Sequence, residues 1–524
     1  MQMRNTADIV GPSRAADLPP KVLEAIFLAL QAQSINTIVI ADRPDCGFRA
    51  PWVATTQVCR RWREVALTTP KLWSAIRITA EDCEAEPINT LLQRSGDEDL
   101  EIHIDGLRLD MREACALIQP HGQRVSALGV EFDELQAETV QVLLLHMGPR
   151  LQMLQLVCAL PAVECGLTLD PETVPGLQVL MVRHIYLQPA AEMASLKELR
   201  LEQLWGAGGK EQRAKLLYDI LASFPNLEFL DLTDAIPAAH DVDAEAAPIL
   251  EFPNLRSMTV NELAIDLPAN LGRLKIPESA ELHVTARYES CPPEWDEENT
   301  VLPMEVLGEK HFDNFPMLME ATDLSLTLGA RCCLPDIMVQ GGNWSFSIPS
   351  MEDEAEGVNR LPEFVNHILD GFPDVILRPQ NVKFLNLHIS QHLPDYDDWA
   401  VLLSEFPNVF ALTVGGRRAF NAVVRALRER KEELLPKLFQ LTACIAVKID
   451  VNTKADARAF GALLVERAAA DKSLKSLIVN VPEMPLNDAT VRLAGSLVAH
   501  MSLRGGRVRV ERKACIACHG YHEH

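Results

Sequence analysis

Phe224-Pro225-Asn226-Leu227-Glu228-Phe229-Leu230-Asp231-Leu232 is the stretch on which the fold turns. Leu227, Leu230 and Leu232 fall at positions 1, 4 and 6 of a short segment. The last two alternate with polar neighbours, as a half-buried strand requires. Just upstream, Lys215 to Ser223 sets Leu216, Leu217, Ile220 and Leu221 on one helical face. A helix end, a proline stop and then a strand explain the order.

The same arrangement recurs along the chain. It appears as Leu151/Leu154/Leu156, Leu177/Leu180/Val182, Leu196/Leu199/Leu201 and Leu255/Met258/Val260. It returns as Leu271/Leu274/Ile276, Val382/Leu385/Leu387, Val409/Leu412/Val414 and Leu474/Leu477/Val479, with weaker copies at Val125/Leu128/Val130 and Leu438/Leu441/Ala443. From Val125 to Leu255 successive starts lie 26, 26, 19, 31 and 28 residues apart. Phe-Pro-Asn precedes the copies at Leu227, Leu255 and Val409, and Val401 to Glu405 is a second helical approach.

This pattern resembles leucine-rich repeats, whose period is roughly 20–29 residues. The resemblance implies strand-plus-helix units that cannot stand alone and stack to share a core. At roughly 1.5–3 kcal/mol per fully buried leucine, the apolar triplets supply most of the stability. Binding to a target then falls to polar residues between them, such as Gln152, Gln155, Lys197, Arg200, Glu228, Asp231, Arg256 and Thr259, with no particular set assigned. The family's Asn or Cys three positions after the third apolar residue is absent, Ala159, Leu204, Ala235 and Leu263 standing there. Insertions are expected at about Pro237 to Pro248, Ser290 to Phe315 and Arg331 to Pro362. The last holds the acidic run Glu352-Asp353-Glu354-Ala355-Glu356, read as a solvated loop.

Nearer the start, Asp17-Leu18-Pro19-Pro20-Lys21 opens a helix, proline being tolerated in a first turn. Val22, Leu23, Ile26, Phe27 and Leu30 form one broad apolar stripe. A polar stretch, roughly Ala32 to Pro51, reads as an insertion. A second amphipathic helix is expected over Val53 to Leu67, carrying Val58, Trp62 and Val65, with Arg60, Arg61 and Arg63 on its other sides. Thr68-Thr69-Pro70 ends it, and Lys71-Leu72-Trp73 and the alternating Ile76-Arg77-Ile78 follow.

Leu18-Pro19 with Val22-Leu23 and Ile26-Phe27, then Val58-Cys59-Arg60-Arg61-Trp62, then Pro70-Lys71-Leu72-Trp73 resemble an F-box, in particular the F-box-like proteins of mushroom-forming fungi. The resemblance covers about residues 16 to 80 and implies docking to a Skp-type adaptor and, through it, a cullin ubiquitin ligase. The residues it implicates are Leu18, Pro19, Val22, Leu23, Ile26, Phe27, Leu30, Val58, Trp62, Leu72 and Trp73. A hairpin this small leaves apolar surface for a partner helix to cover.

Composition narrows the alternatives. A chain of 524 residues is too long for one compact core, and 48% hydrophobic with 23% charged residues is ordinary for folded protein. The net charge of −24 disfavours nucleic acid. The basic residues Arg425, Arg428, Arg430 and Lys431 alternate with Glu429, Glu432 and Glu433 as on a solvated helix face. Twelve cysteines lack scaffold spacing, Cys158 and Cys444 sitting among apolar neighbours. Met1 to Arg14 has no apolar run, and no stretch approaches the ~18 apolar residues of a membrane span. A reducing compartment, cytoplasmic or nuclear, is expected. The Asn343-Trp344-Ser345 sequon then carries no meaning.

Catalytic motifs are wanting. Trp205-Gly206-Ala207-Gly208-Gly209-Lys210 fails as a phosphate loop, with Leu204 at the first glycine and Glu211 where a Ser or Thr should hold a metal. There is no Gly-x-Ser-x-Gly and no His-Glu-x-x-His. Cys515, Cys518, His519 and His522 have zinc-knuckle-like spacing, but no second Cys-x-x-Cys completes the set, so a tail is the simpler reading.

The expected architecture is α/β: an N-terminal helical F-box-like module followed by an irregular leucine-rich repeat-like solenoid. Its segments are a tail at 1–15, the module at 16–80, the array at 81–510 and a Cys/His tail at 511–524. The expected function is non-enzymatic, without cofactor. The chain would be the substrate-recognition adaptor of a Skp–cullin–F-box ligase, bringing an unidentified target protein to it. The alternative is a protein-binding scaffold whose hairpin only caps the array.

Overall fold

A computed structural model describes residues 18–40, 51–79, 85–159, 166–204, 210–237, 248–287, 313–319, 321–328, 337–348, 368–389, 398–430, 434–444, 476–481 and 507–512, with residues 306, 366 and 462–463. The chain divides into two compact units. One is Met1–Gly209 with Asp219–Pro225, and the other is Lys210–Tyr218 with Asn226–His524. No helix among the described residues is long and apolar enough to cross a membrane.

In the first unit the strands are β1 (Ala75–Ile78), β2 (Leu100–Asp105), β3 (Val125–Phe132), β4 (Met153–Cys158), β5 (Gly166–Leu169), β6 (Val179–Arg183), β7 (Tyr186–Pro189) and β8 (Glu198–Glu202). β1, β2, β3, β4, β6 and β8 pair in that order, all parallel. β5 and β7 form a separate parallel pair. The registers align Ile76, Ile102, Leu128, Leu154, Leu180 and Leu199 in one row, and Ile78, Ile104, Val130, Leu156, Val182 and Leu201 in the next. Every one of these is at most 3% exposed. The triplets are therefore core, each strand passing its apolar rows to the next. Cys115 and Cys158 are buried within this packing and form no disulfide.

The second unit holds β9 (Phe229–Thr233), β10 (Leu250–Glu251), β11 (Ser257–Leu263), β12 (Leu274–Lys275), β13 (Glu281–Arg287), β14 (Asp323–Leu328), β15 (Ile337–Gly341), β16 (Trp344–Ile348), β17 (Phe384–Ile389), β18 (Ala411–Gly415), β19 (Gln440–Cys444), β20 (Ser476–Val481) and β21 (Arg507–Arg512). The spatial order is β9, β11, β13, β16, β15, β14, β17, β18, β19, β20, β21. Only β15 runs against its neighbours. The apolar rows continue, Leu232, Val260, Val284, Phe346, Val339, Leu326, Leu387, Val414 and Ala443 lying side by side at no more than 1% exposure. Helices Lys210–Ala222 and Trp399–Ser404 occur where the apolar faces before Phe-Pro-Asn predict them. Phe224, Phe252 and Phe406 are buried.

Several expectations need correction. Helix Pro20–Ile40 continues through the start of the stretch read as an insertion. From Gln31 to Ile40 there is neither glycine nor proline to stop it. Val53 to Leu67 is not one helix but a 3-10 turn, Pro51–Gln57, and an α-helix, Arg60–Leu67. The joint is Cys59, fully extended at φ −159° and ψ 169°. The β-branched Val53, Thr55, Thr56 and Val58 disfavour helix there, and the Thr56 hydroxyl donates to the Val53 carbonyl at 2.7 Å instead. Leu271/Leu274/Ile276 has the repeat spacing but lies outside the main sheet. It spans helix Leu267–Leu271 and the two-residue β12, which pairs only with β10; Gly272 and Pro277 bracket the strand. The next main strand is β13, which the spacing did not reveal. β2 and β14 were hidden too, because Leu100/Ile102/Ile104 alternate without an apolar residue three positions earlier, and only the small Ala321 stands three positions before Leu324. Within the presumed insertion Arg331 to Pro362, β15 and β16 form an antiparallel hairpin turning at Gly342, where φ is +46°. The acidic run lies outside the described residues.

A different device replaces the missing Asn or Cys ladder. Two residues beyond the last apolar position of β6, β8 and β9, the chain turns left-handed at His184, Gln203 and Asp234, with φ of 58°, 50° and 50°. His184 Nδ1 lies 2.9 Å from the Cys158 carbonyl of the preceding strand, and Asp234 pairs with Arg287.

Candidate protein-docking surface of the N-terminal module

The module is built on Leu23, Phe27, Ala66, Leu72 and Trp73, against which Leu18, Leu28, Leu30, Trp62, Val65 and Leu91 pack. Leu23 and Phe27 stand one helical turn apart and are 0% exposed. The Phe27 and Trp62 rings meet at 5.3 Å and 59°, an edge-tilted contact favoured by the ring quadrupoles. The Trp73 indole N–H donates to the Ala66 carbonyl at 2.9 Å, satisfying a donor that would be costly to bury alone. Gln31, also buried, donates from its amide to the Leu72 carbonyl at 3.1 Å, tying the first helix to the Pro70–Trp73 turn.

The arginines fasten the frame. The Arg61 guanidinium donates to the Leu18 carbonyl at 2.8 Å, and Arg63 donates to the Thr56 carbonyl at 2.9 Å across the extended joint. Arg60 pairs with Glu64 at 2.9 Å, wholly on the surface. From the following helix, Ala85–Arg94, Leu91 joins the core and the Arg94 guanidinium lies 4.4 Å above the Trp73 ring.

Of the eleven residues the resemblance singles out, the structure sorts three groups. Leu23, Phe27, Leu72 and Trp73 are interior. Leu18, Leu30 and Trp62 are half-buried at the rim of that core. Pro19, Val22, Ile26 and Val58 are exposed, Val22 at 42%, Ile26 at 36% and Val58 at 59%. Pro19, Val22 and Ile26 follow one another at helical spacing and so share a stripe. Val58 sits at the joint of the second segment. Gln31, Ala66 and Leu91 escaped the sequence reading. Gln31 alone left a signal, as a polar residue four positions after Phe27 on the apolar face.

A helical core closed on its own interior, with aliphatic side chains left outside, defines a small protein-interaction module. The F-box-like family model matches residues 15–79, and an F-box-like domain occupies this part of the chain. Its presence gives the chain a protein-interaction role of the kind F-box proteins have. A search of curated proteins finds no match.

Elsewhere, Gln152, Gln155, Lys197, Arg200, Glu228, Asp231, Arg256 and Thr259 are surface or half-buried. Lys197, Arg200 and Arg256 are exposed, and Arg256 pairs with Glu228 at 3.1 Å. Cys515, Cys518, His519 and His522 lie outside the described residues. Among the described residues no three His, Cys, Asp or Glu side chains gather as a metal would require.

Proposed function

We propose that the F-box-like domain docks a Skp-type adaptor of a cullin ubiquitin ligase through Pro19, Val22, Ile26 and Val58, and that the strand units, read as leucine-rich repeat-like, hold a target protein. The observation that carries this reading is the pairing on one helix of Leu23 and Phe27, fully enclosed, with Val22 and Ile26, left in water. Val22 and Ile26 put two aliphatic side chains side by side on one exposed helix stripe, the kind of surface a partner helix covers. Lys21, Arg60, Arg61, Arg63 and Lys71 are exposed on the same module, on a chain of charge −24. The partner face that fits is apolar with an acidic rim. In this role the protein contributes proximity, raising the effective concentration of a target beside a transfer enzyme, and catalyses nothing itself. Action in the cytoplasm or nucleus follows from that assignment.

A second reading has its own support. Leu91 and Arg94 pack on the module's core, and β1, which follows it directly, pairs with β2. The domain would then also cap the first strand of its sheet. The test separates the two. Val22→Glu with Ile26→Glu changes only exposed positions, so the fold should persist while binding to a purified Skp-type adaptor is lost. Unchanged adaptor binding by that folded variant, or none by the unaltered chain, leaves the cap alone.

A further inference from the structure

The residue directly after the first apolar position of each repeat is polar along much of the chain. Gln152, Gln178, Lys197, Glu228 and Arg256 hold that place, and Arg256 pairs with Glu228 at 3.1 Å. Backbone bonds set them in line: the Lys197 N–H donates to the Gln178 carbonyl at 2.8 Å, and the Arg256 N–H to the Glu228 carbonyl at 2.7 Å. Before β17, β18 and β19 the same bonds run from Phe410 to Lys383 and from Phe439 to Phe410, each at 2.8 Å. Lys383, Phe410 and Phe439 therefore occupy the equivalent line, two aromatic rings standing where other repeats carry polar groups.

The two rings stack at 4.8 Å and 7°, yet Phe410 stays 44% and Phe439 40% exposed. Phe384, also 44% exposed, lies beside Ala411 in register, one residue further along the strands. Four phenylalanines are exposed among the described residues, and three of them are these. The core does not require them, since Leu385, Leu412 and Leu441 already close the row beneath at 0% exposure. Aromatic side chains gathered on a surface above a closed core mark an interaction site.

Charge says what it takes. Residues 383–389, 410–415 and 439–444 hold neither aspartate nor glutamate, on a chain with 73 acidic residues against 49 basic ones. Lys383, in line with the stacked rings, and Lys437, two residues before Phe439, are exposed, and neither has a carboxylate within 4.0 Å among the described residues. Asp323 lies beside Phe384 in register and accepts from the Thr322 hydroxyl at 2.9 Å.

We propose that this face of β17, β18 and β19 receives an acidic segment of a target protein. An apolar side chain of that segment packs on Phe384, Phe410 and Phe439, and its carboxylates reach Lys383 and Lys437. The rings supply the apolar area taken out of water, and the lysines select the sign of the partner. The inference rests on reading the strand units as target-binding and is independent of what the F-box-like domain docks.

The test is calorimetric titration of the full chain with the blocked peptide acetyl-Glu-Phe-Glu-Leu-Glu-amide and with its counterpart bearing glutamine for each glutamate. The acidic peptide should saturate, and the neutral one should bind at least about tenfold more weakly, about 1.4 kcal/mol. Lys383→Glu with Lys437→Glu, both at exposed positions, should weaken the acidic peptide by a similar factor and leave the neutral one unchanged. Phe410→Ser with Phe439→Ser should weaken both peptides. Equal binding of the two peptides would overturn the acidic chemistry while leaving the strand units as target-binding. No saturation by the acidic peptide, or its unchanged binding to both double variants, would overturn the surface itself. So would a dimer of the full chain in sedimentation that Phe410→Ser with Phe439→Ser dissolves, since the face would then join two copies.

Discussion

Leu23 and Val22 are neighbours of similar character, yet one is sealed and the other is 42% exposed. Residue type could not separate them. The apolar stripe was legible in the sequence, but which edge of it faced inward depended on Phe27, Trp62 and Trp73 closing over one side. The distinction has measurable consequences. Phe27→Ala should destabilise the first unit by about 3–5 kcal/mol in chemical denaturation, the usual result of emptying a buried aromatic site. Ile26→Ala should change stability far less, its side chain already lying partly in water. A second residue-scale prediction concerns Glu262, 3% exposed in β11. Its carboxylate accepts from the Ala235 and Ile236 N–H groups at 2.6 and 3.0 Å. Burial nevertheless outweighs those bonds and lifts its pKa from 4.5 to about 8. The folded state therefore holds a proton that the unfolded chain has released between those values. The associated stability is complete below about pH 4.5 and is lost as pH rises through about 8. Glu262→Gln, followed by denaturation across that range, should flatten this part of the profile.

At the scale of elements, the repeat spacing located β3, β4, β6, β8, β9, β11, β17, β18, β19 and β20, and all but the last of these are seen to bury their second and third apolar residues in the shared rows. It failed where geometry departs from a simple repeat. Leu271/Leu274/Ile276 satisfies the spacing but is cut short by glycine and proline. The hairpin β15–β16 breaks the period although Trp344-Ser345-Phe346-Ser347-Ile348 alternates strictly and follows a Gly-Gly-Asn turn. Weighing alternation as heavily as spacing would have found it. Glycines mark where strands crowd. A Cβ on Gly129 would lie 2.5 Å from His103 Nδ1, and one on Gly415 would lie 2.6 Å from His388 Nδ1. In each case the histidine sits beside the glycine of the next strand in register. Burial and the charge of Arg77 push His103 down to about 4, so the ring packs over Gly129 in its neutral form near neutral pH. Gly129→Ala should therefore lower the unfolding midpoint of the chain, a loss of roughly 1–3 kcal/mol typical of overpacking.

For the whole molecule, the sequence reading foresaw an interaction domain followed by repeating strand units, and the F-box-like domain is present at residues 15–79. The division into two compact units near residues 209–226 left no sequence mark of its own, because the Phe-Pro-Asn found there recurs before Leu255 and Val409. The proposed account makes the exposed stripe of the first helix the contact with a foreign partner. Cysteine labelling at that stripe tests it most directly. With cysteine placed in turn at Val22 and at Ile26, maleimide modification should be rapid in the free chain and slow at least about tenfold under a saturating Skp-type adaptor, the local exposure being governed by the bound fraction. Rates at both positions that stay the same with the adaptor present would contradict the account.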